Sequence, residues 1–200
     1  MNIKKIIIGF ITVFIIVFIG LQFHNNIISN KITRLNEELY LSTWSVDTSN
    51  ISDKAKEAIM KSELATKPNT DFSNCINLPV KDRKDYTGTP GIYPQTCMNT
   101  VSSFYSPDKN WAQCQYFVNN CNRLGFEEVE VPKAGDIIVF FKKNHAFHTG
   151  LYLGKSKYGP VINHSDGGKL PNNYHKHVLV KNLYKDYKEN IYYRYYTYIK

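Results

Sequence analysis

Two hundred residues, of which 42% are hydrophobic, are enough for one compact domain and an appendage, but too few for two domains with separate cores. The formal net charge of +8 is typical of a protein that works beside an anionic surface, although an ordinary solvated surface explains it equally well. The basic residues are scattered and do not alternate with aromatic residues, so we expect no nucleic-acid role.

The N-terminal segment is strongly apolar. Lys4 and Lys5 precede residues 6–21, which contain only Ile, Val, Phe, Leu, Gly and Thr. About sixteen helical residues cover most of a ~30 Å bilayer core. No small-x-small cleavage site follows, and the lysines favour a cytoplasmic N-terminus. Residues 1–24 are therefore predicted to be one transmembrane anchor that places the remainder outside the cytoplasm. A cleaved signal peptide and a hydrophobic core helix are the alternatives.

A polar stem and the start of the folded domain follow. Residues 25–50 carry one short apolar rhythm at helical spacing, made by Ile32, Leu35 and Leu39. Ser52 and Asp53 provide an N-cap and a first-turn acid for a helix that Pro68 stops. This helix is predicted to open a single domain over residues 51–200.

A long loop is predicted to lead to a helix that begins at a cysteine. Residues 69–95 are rich in Gly and Pro, and loops of this length in compact domains commonly line sites. From Cys97 to Tyr105 the apolar residues lie on one helical face, with Thr96 as the predicted N-cap.

The remainder of the chain predicts one more helix and then strands. The helix is expected to begin at Ser106-Pro107 and to end at Gly125. Its predicted apolar stripe consists of Trp111, Cys114, Val118, Cys121 and Leu124. Short strands are predicted near residues 129–131, 137–141, 147–153, 161–164, 178–180 and 192–199, the Tyr-rich last one being an edge or closing strand. Helices followed by an antiparallel meander indicate an α+β fold.

Position separates the four cysteines as candidate nucleophiles. Cys97 stands at a predicted helix start, where free N–H groups and the helix dipole stabilise a thiolate. Cys114 and Cys121 are predicted to be small core residues on one helix face. A disulfide between Cys97 and Cys75 is the structural alternative.

A cysteine nucleophile needs an imidazole and a polar group that orients it. His148 lies in a predicted strand, and His164 ends the next one, sixteen positions later. That span fits two paired strands with a turn, so the two imidazoles are predicted to be neighbours. Gly150, on the same strand face as His148, is predicted to leave space beside the ring for a substrate or an incoming side chain.

Three segments resemble the NlpC-type papain-like cell-wall peptidases. They are Ala134-Gly-Asp-Ile-Ile-Val-Phe-Phe, His148-Thr-Gly-Leu-Tyr-Leu-Gly and Val161-Ile-Asn-His. The resemblance implies a papain-like half-barrel in which N-terminal helices pack on a small antiparallel sheet. It further implies Cys97 as nucleophile, His148 as base and then acid, and His164 as orienter of the His148 ring. Thr96-Cys-Met-Asn stands where the family has Asp-Cys-Ser-Gly, which bears on substrate specificity.

Other polar residues near these motifs receive secondary roles. The oxyanion donors are predicted to be the backbone N–H of Cys97 and a hydroxyl from Tyr86 or Tyr93. Asp136 is expected to cap backbone N–H groups rather than to act as an acid.

The remaining histidines are weaker candidates. His145 is the rival base, and it is expected in the turn before the strand of His148. His175 and His177 are predicted to be surface residues at a strand start.

The resemblance implies an exported, membrane-anchored bacterial hydrolase that cleaves amide bonds in peptidoglycan stem peptides through an acyl-enzyme. No metal or organic cofactor is expected, and protein partners are not predicted. Three alternatives stay open: a secreted wall amidase or toxin of the same superfamily, a non-catalytic anchored module that binds wall material, and acyl transfer by the same Cys and His.

Overall fold

A computed structural model describes residues 3–65, 96–106, 113–165, 174–184 and 190–200, with side chains of the first helix described from residue 17 onward. The chain forms two compact units, Met1–Trp44 and Ser45–Lys200. The whole predicted loop, residues 69–95 with Cys75, Tyr86 and Tyr93, lies outside the described residues.

The first unit contains one long helix. Helix α1 spans Ile3–Thr43, which is 41 residues. No proline interrupts it, so it continues through residue 24, the predicted border between anchor and stem. The predicted stem helix is therefore the C-terminal part of α1. In the part of the chain that the structure describes, no helix is long and apolar enough to cross a membrane, and the predicted transmembrane helix is not found there.

The second unit opens with the predicted capped helix. Helix α2 spans Asp53–Leu64, and the Ser52 hydroxyl accepts a hydrogen bond from the Ala55 N–H at 3.2 Å. This bond satisfies one of the N–H groups that a helix start leaves without an intrahelical partner. The prediction of Ser52 as N-cap is confirmed.

The two helices that carry Cys97 and Cys114 begin elsewhere than predicted. Helix α3 spans Thr96–Tyr105, so Thr96 is its first residue and not its cap. Helix α4 spans Cys114–Leu124 and ends on Gly125, whose φ of +93° is the left-handed conformation expected of a C-terminal glycine. The predicted start at Ser106 is wrong, because the Ser106 N–H bonds to the Ser102 carbonyl and extends the end of α3.

A six-stranded antiparallel sheet follows and confirms the α+β prediction. Its strands are β1 Phe126–Val129, β2 Ile137–Lys142, β3 His145–Ser156, β4 Gly159–Ser165, β5 Tyr174–Leu179 and β6 Ile191–Tyr198. The spatial order is β1-β6-β2-β3-β4-β5, which leaves an open sheet with β1 and β5 at its edges. Strands β2 to β5 form the predicted meander, and the four-residue helix α5, Val180–Leu183, follows β5.

The Tyr-rich strand β6 is an inner strand, not an edge. Its Tyr196 lies opposite Glu128 of β1 on one side and Ile137 of β2 on the other. Tyr196 is buried and packs edge-to-face on Phe117 of α4, with ring centroids 5.2 Å apart. Tyr196 therefore contributes apolar area to the core.

One glycine brings α2 against the sheet. Gly135 precedes β2 with a φ of +92°, and a Cβ there would lie 2.5 Å from the Ala55 Cβ. Its carbonyl accepts a hydrogen bond from the buried Tyr105 hydroxyl of α3. Glycine is therefore required here both by backbone conformation and by close approach.

Candidate active site

Cys97 lies in the first turn of α3. Its side chain is a free thiol and only 4% exposed. A hydrogen bond from Cys114 lowers the pKa of the Cys97 thiol, and burial opposes this. A hydrogen bond from His148, the charge of that imidazole and the Met98 backbone N–H lower the pKa further. The net result is a pKa well below the ordinary value, which favours a thiolate at this position.

Cys114 is buried in the core, as predicted, but it also contacts Cys97, which the sequence did not indicate. Its Sγ lies 3.9 Å from the Sγ of Cys97. The hydrogen bond to Cys97 and burial both raise the pKa of Cys114. The proton therefore stays on Cys114, because His148 and the Met98 N–H stabilise negative charge on Cys97 alone. Cys114 acts here as a thiol donor beside a thiolate.

Cys121 takes no part in this cluster. Its side chain is partly buried, and its Sγ donates to the Asn122 side-chain oxygen at 3.9 Å. The buried side chains of α4 are Cys114 and Phe117. The predicted stripe through Cys121 is therefore shifted, and Cys121 stands outside the core.

The two predicted histidines meet across β3 and β4. His148 Nε2 lies 3.1 Å from His164 Nδ1, and the side chains are 6% and 2% exposed. Gly150 lies directly opposite His164 in the strand register. His148, two residues before Gly150, is therefore the diagonal neighbour of His164 on the same face of the sheet. The prediction that the imidazoles are neighbours is confirmed.

The Nε2 contact decides how His148 can serve Cys97. An imidazole has two nitrogens, and His164 occupies Nε2 of His148. This leaves Nδ1 as the His148 nitrogen that is available to Cys97. Phe140 packs beside the ring with centroids 5.7 Å apart, and Tyr184 lies edge-on at 6.0 Å. These contacts fix the orientation of the ring.

Gly150 allows β3 and β4 to approach where the histidines meet. A Cβ on residue 150 would lie 2.9 Å from the Asn163 carbonyl oxygen and 3.2 Å from the His164 Cβ. The space beside the imidazole that the sequence predicted is thus occupied by β4 itself, including the His164 side chain.

His175 extends the row of imidazoles beyond the predicted pair. It lies opposite His164 in the register of β4 and β5, and the two rings stack with centroids 5.0 Å apart and planes 26° apart. His175 lies at the start of β5, as predicted, but it is partly buried and its ring has a partner that the sequence did not indicate. The sequence did place His175 near the start of a strand. The pairing of β5 with β4, however, is irregular between Ile162 and His164, and residue spacing alone does not predict this irregularity.

His177 belongs to a second polar cluster, which joins β4 and β5 to the end of α2. Its Nε2 lies 3.1 Å from Glu63 Oε1, and its backbone N–H donates to the Asn163 side-chain oxygen. The Asn163 amide nitrogen in turn donates to Ser62 Oγ at 3.0 Å and to Glu63 Oε1 at 2.7 Å. Asn163 precedes His164, so the cluster fixes the strand that positions the orienting histidine.

The remaining candidates lie away from the thiol. His145 is the first residue of β3, opposite Lys142, and so follows the Lys143–Asn144 turn instead of lying in it. The Lys133 N–H donates to the buried Asp136 carboxylate at 2.7 Å, which confirms the capping role, and burial raises the pKa of Asp136.

The oxyanion donors are only partly described. The Cys97 backbone N–H lies at the free end of α3, whereas Tyr86 and Tyr93 lie outside the described residues. Asn99 is buried, and its amide makes no hydrogen bond among the residues that the structure describes. Residues two apart in a helix point about 200° apart, so Asn99 does not face the side of α3 that carries Cys97.

No family model, curated protein or solved structure matches this chain. In the described ranges, no group of three or more His, Cys, Asp and Glu side chains is arranged to hold a metal ion.

Proposed function

We propose that this chain is a cysteine hydrolase that cleaves amide bonds, with Cys97 as nucleophile, His148 as base and acid, and His164 as the residue that orients His148. The single observation that carries the proposal is the position of His148. Its Nε2 is held by His164 at 3.1 Å, which leaves Nδ1 available to the buried Cys97 thiol, whose pKa Cys114 and then His148 hold well below the ordinary value. A nucleophile, a base and an orienter in this order form a catalytic triad.

The steps follow from the protonation states. The Cys97 thiolate attacks the amide carbonyl carbon, while His148 is an imidazolium whose Nε2–H donates to His164 Nδ1. His148 then gives its Nδ1 proton to the departing amine, and an acyl-enzyme remains. The neutral imidazole next takes a proton from water, which attacks the thioester and releases the acid. His164 must be neutral with its proton on Nε2, since its Nδ1 accepts.

The substrate class rests on the resemblance of residues 134–164 to NlpC-type peptidases, so peptidoglycan stem peptides are the proposed substrate. The antiparallel sheet with helices is compatible with a papain-like core.

A location of the catalytic domain outside the cytoplasm is also part of the proposal, and it rests on Lys4, Lys5 and the apolar residues 6–21. Labelling of intact cells with an impermeant lysine reagent tests it, because a cytoplasmic domain would stay unlabelled.

The non-catalytic alternative requires Cys97 in a disulfide, whereas Cys97 is a free thiol.

The decisive experiment incubates purified peptidoglycan with the full chain and identifies fragments by mass spectrometry. Free stem peptides with new termini support the peptidase, and release of whole stems from the sugar supports an amidase. Cys97→Ala should abolish either product, whereas Cys121→Ala, the matched control, should keep it. No product from the wild-type chain, folded and reduced, would reject the hydrolase proposal.

A further inference from the structure

The hydrolase mechanism does not consume the second thiol of the site. Cys97 and Cys114 have their sulfur atoms 3.9 Å apart, and both side chains are buried. Each lies in the first turn of its helix, α3 or α4, and seventeen positions of sequence separate them. Both are free thiols. A disulfide has an S–S distance of about 2.05 Å, so the two sulfur atoms have to approach by roughly 2 Å to bond.

We propose that Cys97 and Cys114 form a reversible disulfide when a peroxide oxidises Cys97, so that this pair is an oxidation site that switches the active site off. Formation of the bond depends only on the two thiols. The loss of activity that accompanies it rests on the proposed hydrolase function.

Oxidation begins at Cys97 because the thiolate, not the thiol, attacks a peroxide. The Cys97 sulfur attacks one peroxide oxygen, the O–O bond breaks, and an S–O bond forms. Sulfur loses two electrons and the peroxide gains them. The departing oxygen leaves as water or alcohol after it takes a proton, for which His148 is the hydrogen-bonded donor. Cys97 is then a sulfenic acid.

Cys114 completes the second step. Its sulfur attacks the Cys97 sulfur, the S–S bond forms, and the S–O bond breaks. The leaving hydroxide takes the Cys114 proton and departs as water, so the whole sequence reduces one peroxide and oxidises two thiols. A dithiol reductant reverses it by thiol–disulfide exchange and is itself oxidised.

The arrangement favours Cys114 over any other described thiol as the partner. Cys121 lies two turns along α4, is partly buried, and directs its sulfur to Asn122. Cys114 already contacts the Cys97 sulfur, so its attack competes with a second peroxide that would carry Cys97 to an irreversible sulfinic acid. The disulfide therefore protects Cys97 from irreversible oxidation and at the same time inactivates the site.

The test treats the full chain with a small excess of hydrogen peroxide, alkylates the remaining thiols, and maps the peptides by mass spectrometry. We expect a peptide pair linked through Cys97 and Cys114, a loss of two alkylatable thiols, and full return of both after dithiothreitol. Cys121→Ser is the matched control and should give the same linked pair. Cys114→Ser should yield Cys97 sulfenic acid that dimedone traps, followed by sulfinic acid that dithiothreitol does not reverse.

Two results would overturn the inference. One is a wild-type chain in which Cys97 proceeds to sulfinic acid with no link to Cys114. The other is a link from Cys97 to Cys75 or Cys121 in its place. Because this experiment detects a cross-link and not turnover, its result does not depend on any substrate. A link between Cys97 and Cys114 in a chain that never hydrolyses peptidoglycan would uphold the oxidation site and reject the hydrolase, and hydrolysis without the link would do the reverse.

Discussion

His148 Nε2 and His164 Nδ1 lie 3.1 Å apart, and both rings are buried between neighbouring strands. One of these nitrogens must donate and the other accept, and in the proposed mechanism the His148 Nε2–H donates to His164, which requires a neutral His164 with its proton on Nε2. The register of β3 and β4 therefore orients the His148 ring, which in turn helps to lower the pKa of the Cys97 thiol on α3.

Replacement of His164 should impair catalysis without removing it. His148→Ala should lower kcat by about 10²–10⁴-fold, the usual contribution of a general acid or base. His164→Ala should cost less, and His164→Asn less still, because the amide oxygen accepts the same hydrogen bond. The kcat values and pH profiles check this order, and His145→Ala, at the start of β3, is the control that should leave both unchanged. Equal losses in His164→Ala and His164→Asn would show that the side chain only fills space.

Removal of Cys114 should raise the pKa of Cys97, because the hydrogen bond from Cys114 is the largest contribution that lowers it. In Cys114→Ala the acidic limb of the kcat/KM profile should therefore move to higher pH. The protein should also lose about 1 kcal/mol or more of unfolding free energy, as expected when a buried side chain is shortened. In Cys121→Ala, both the shift of the acidic limb and the loss of unfolding free energy should be smaller than in Cys114→Ala. An unchanged acidic limb in a folded Cys114→Ala protein would contradict the role of Cys114.

Gly150→Ala should disturb the histidine pair directly. The added Cβ meets the Asn163 carbonyl and the His164 Cβ, so β4 must shift. We expect a loss of about 1–3 kcal/mol in unfolding free energy, the usual cost of overpacking, together with a fall in kcat. Gly159→Ala is the matched control, because its Cβ meets nothing within 4 Å while its φ of +122° strains the backbone. Gly159→Ala should lose stability and keep kcat; the same kcat in both variants would refute the argument.

The Glu63–His177 contact predicts a pH dependence of stability. A hydrogen bond from His177 is the main cause that lowers the pKa of Glu63 in the folded state. A lowered carboxylate pKa contributes stability that is complete above the unfolded value of about 4.3 and is lost as the pH falls through the folded value. Glu63→Gln should therefore flatten the unfolding free energy across this acidic window. Chemical denaturation at several pH values measures it, and parallel wild-type and variant curves would contradict the assignment.

Local signals made part of this structure readable from the sequence. Ser52 caps α2 through a bond to Ala55, three residues away, and the His148–His164 pair follows from one hairpin, so both depend on short stretches of chain. Cys114 meets Cys97 because α3 and α4 both pack on β3, and the α4 start that decides the direction of Cys114 was predicted eight residues too early. His175 meets His164 through a strand register with an irregularity. The cysteine contact depends on packing that periodicity does not encode, and the histidine contact depends on a strand irregularity that residue spacing does not give.

The central claim is that His148 holds Cys97 as a thiolate. The thiolate ultraviolet absorbance, recorded against pH as the difference between wild type and Cys97→Ser, measures this without any need for a reagent to reach the buried sulfur. The account predicts a midpoint well below the usual thiol value of about 8.5, and a rise of that midpoint in His148→Ala. A wild-type midpoint at or above the usual value, unchanged in His148→Ala, would contradict it.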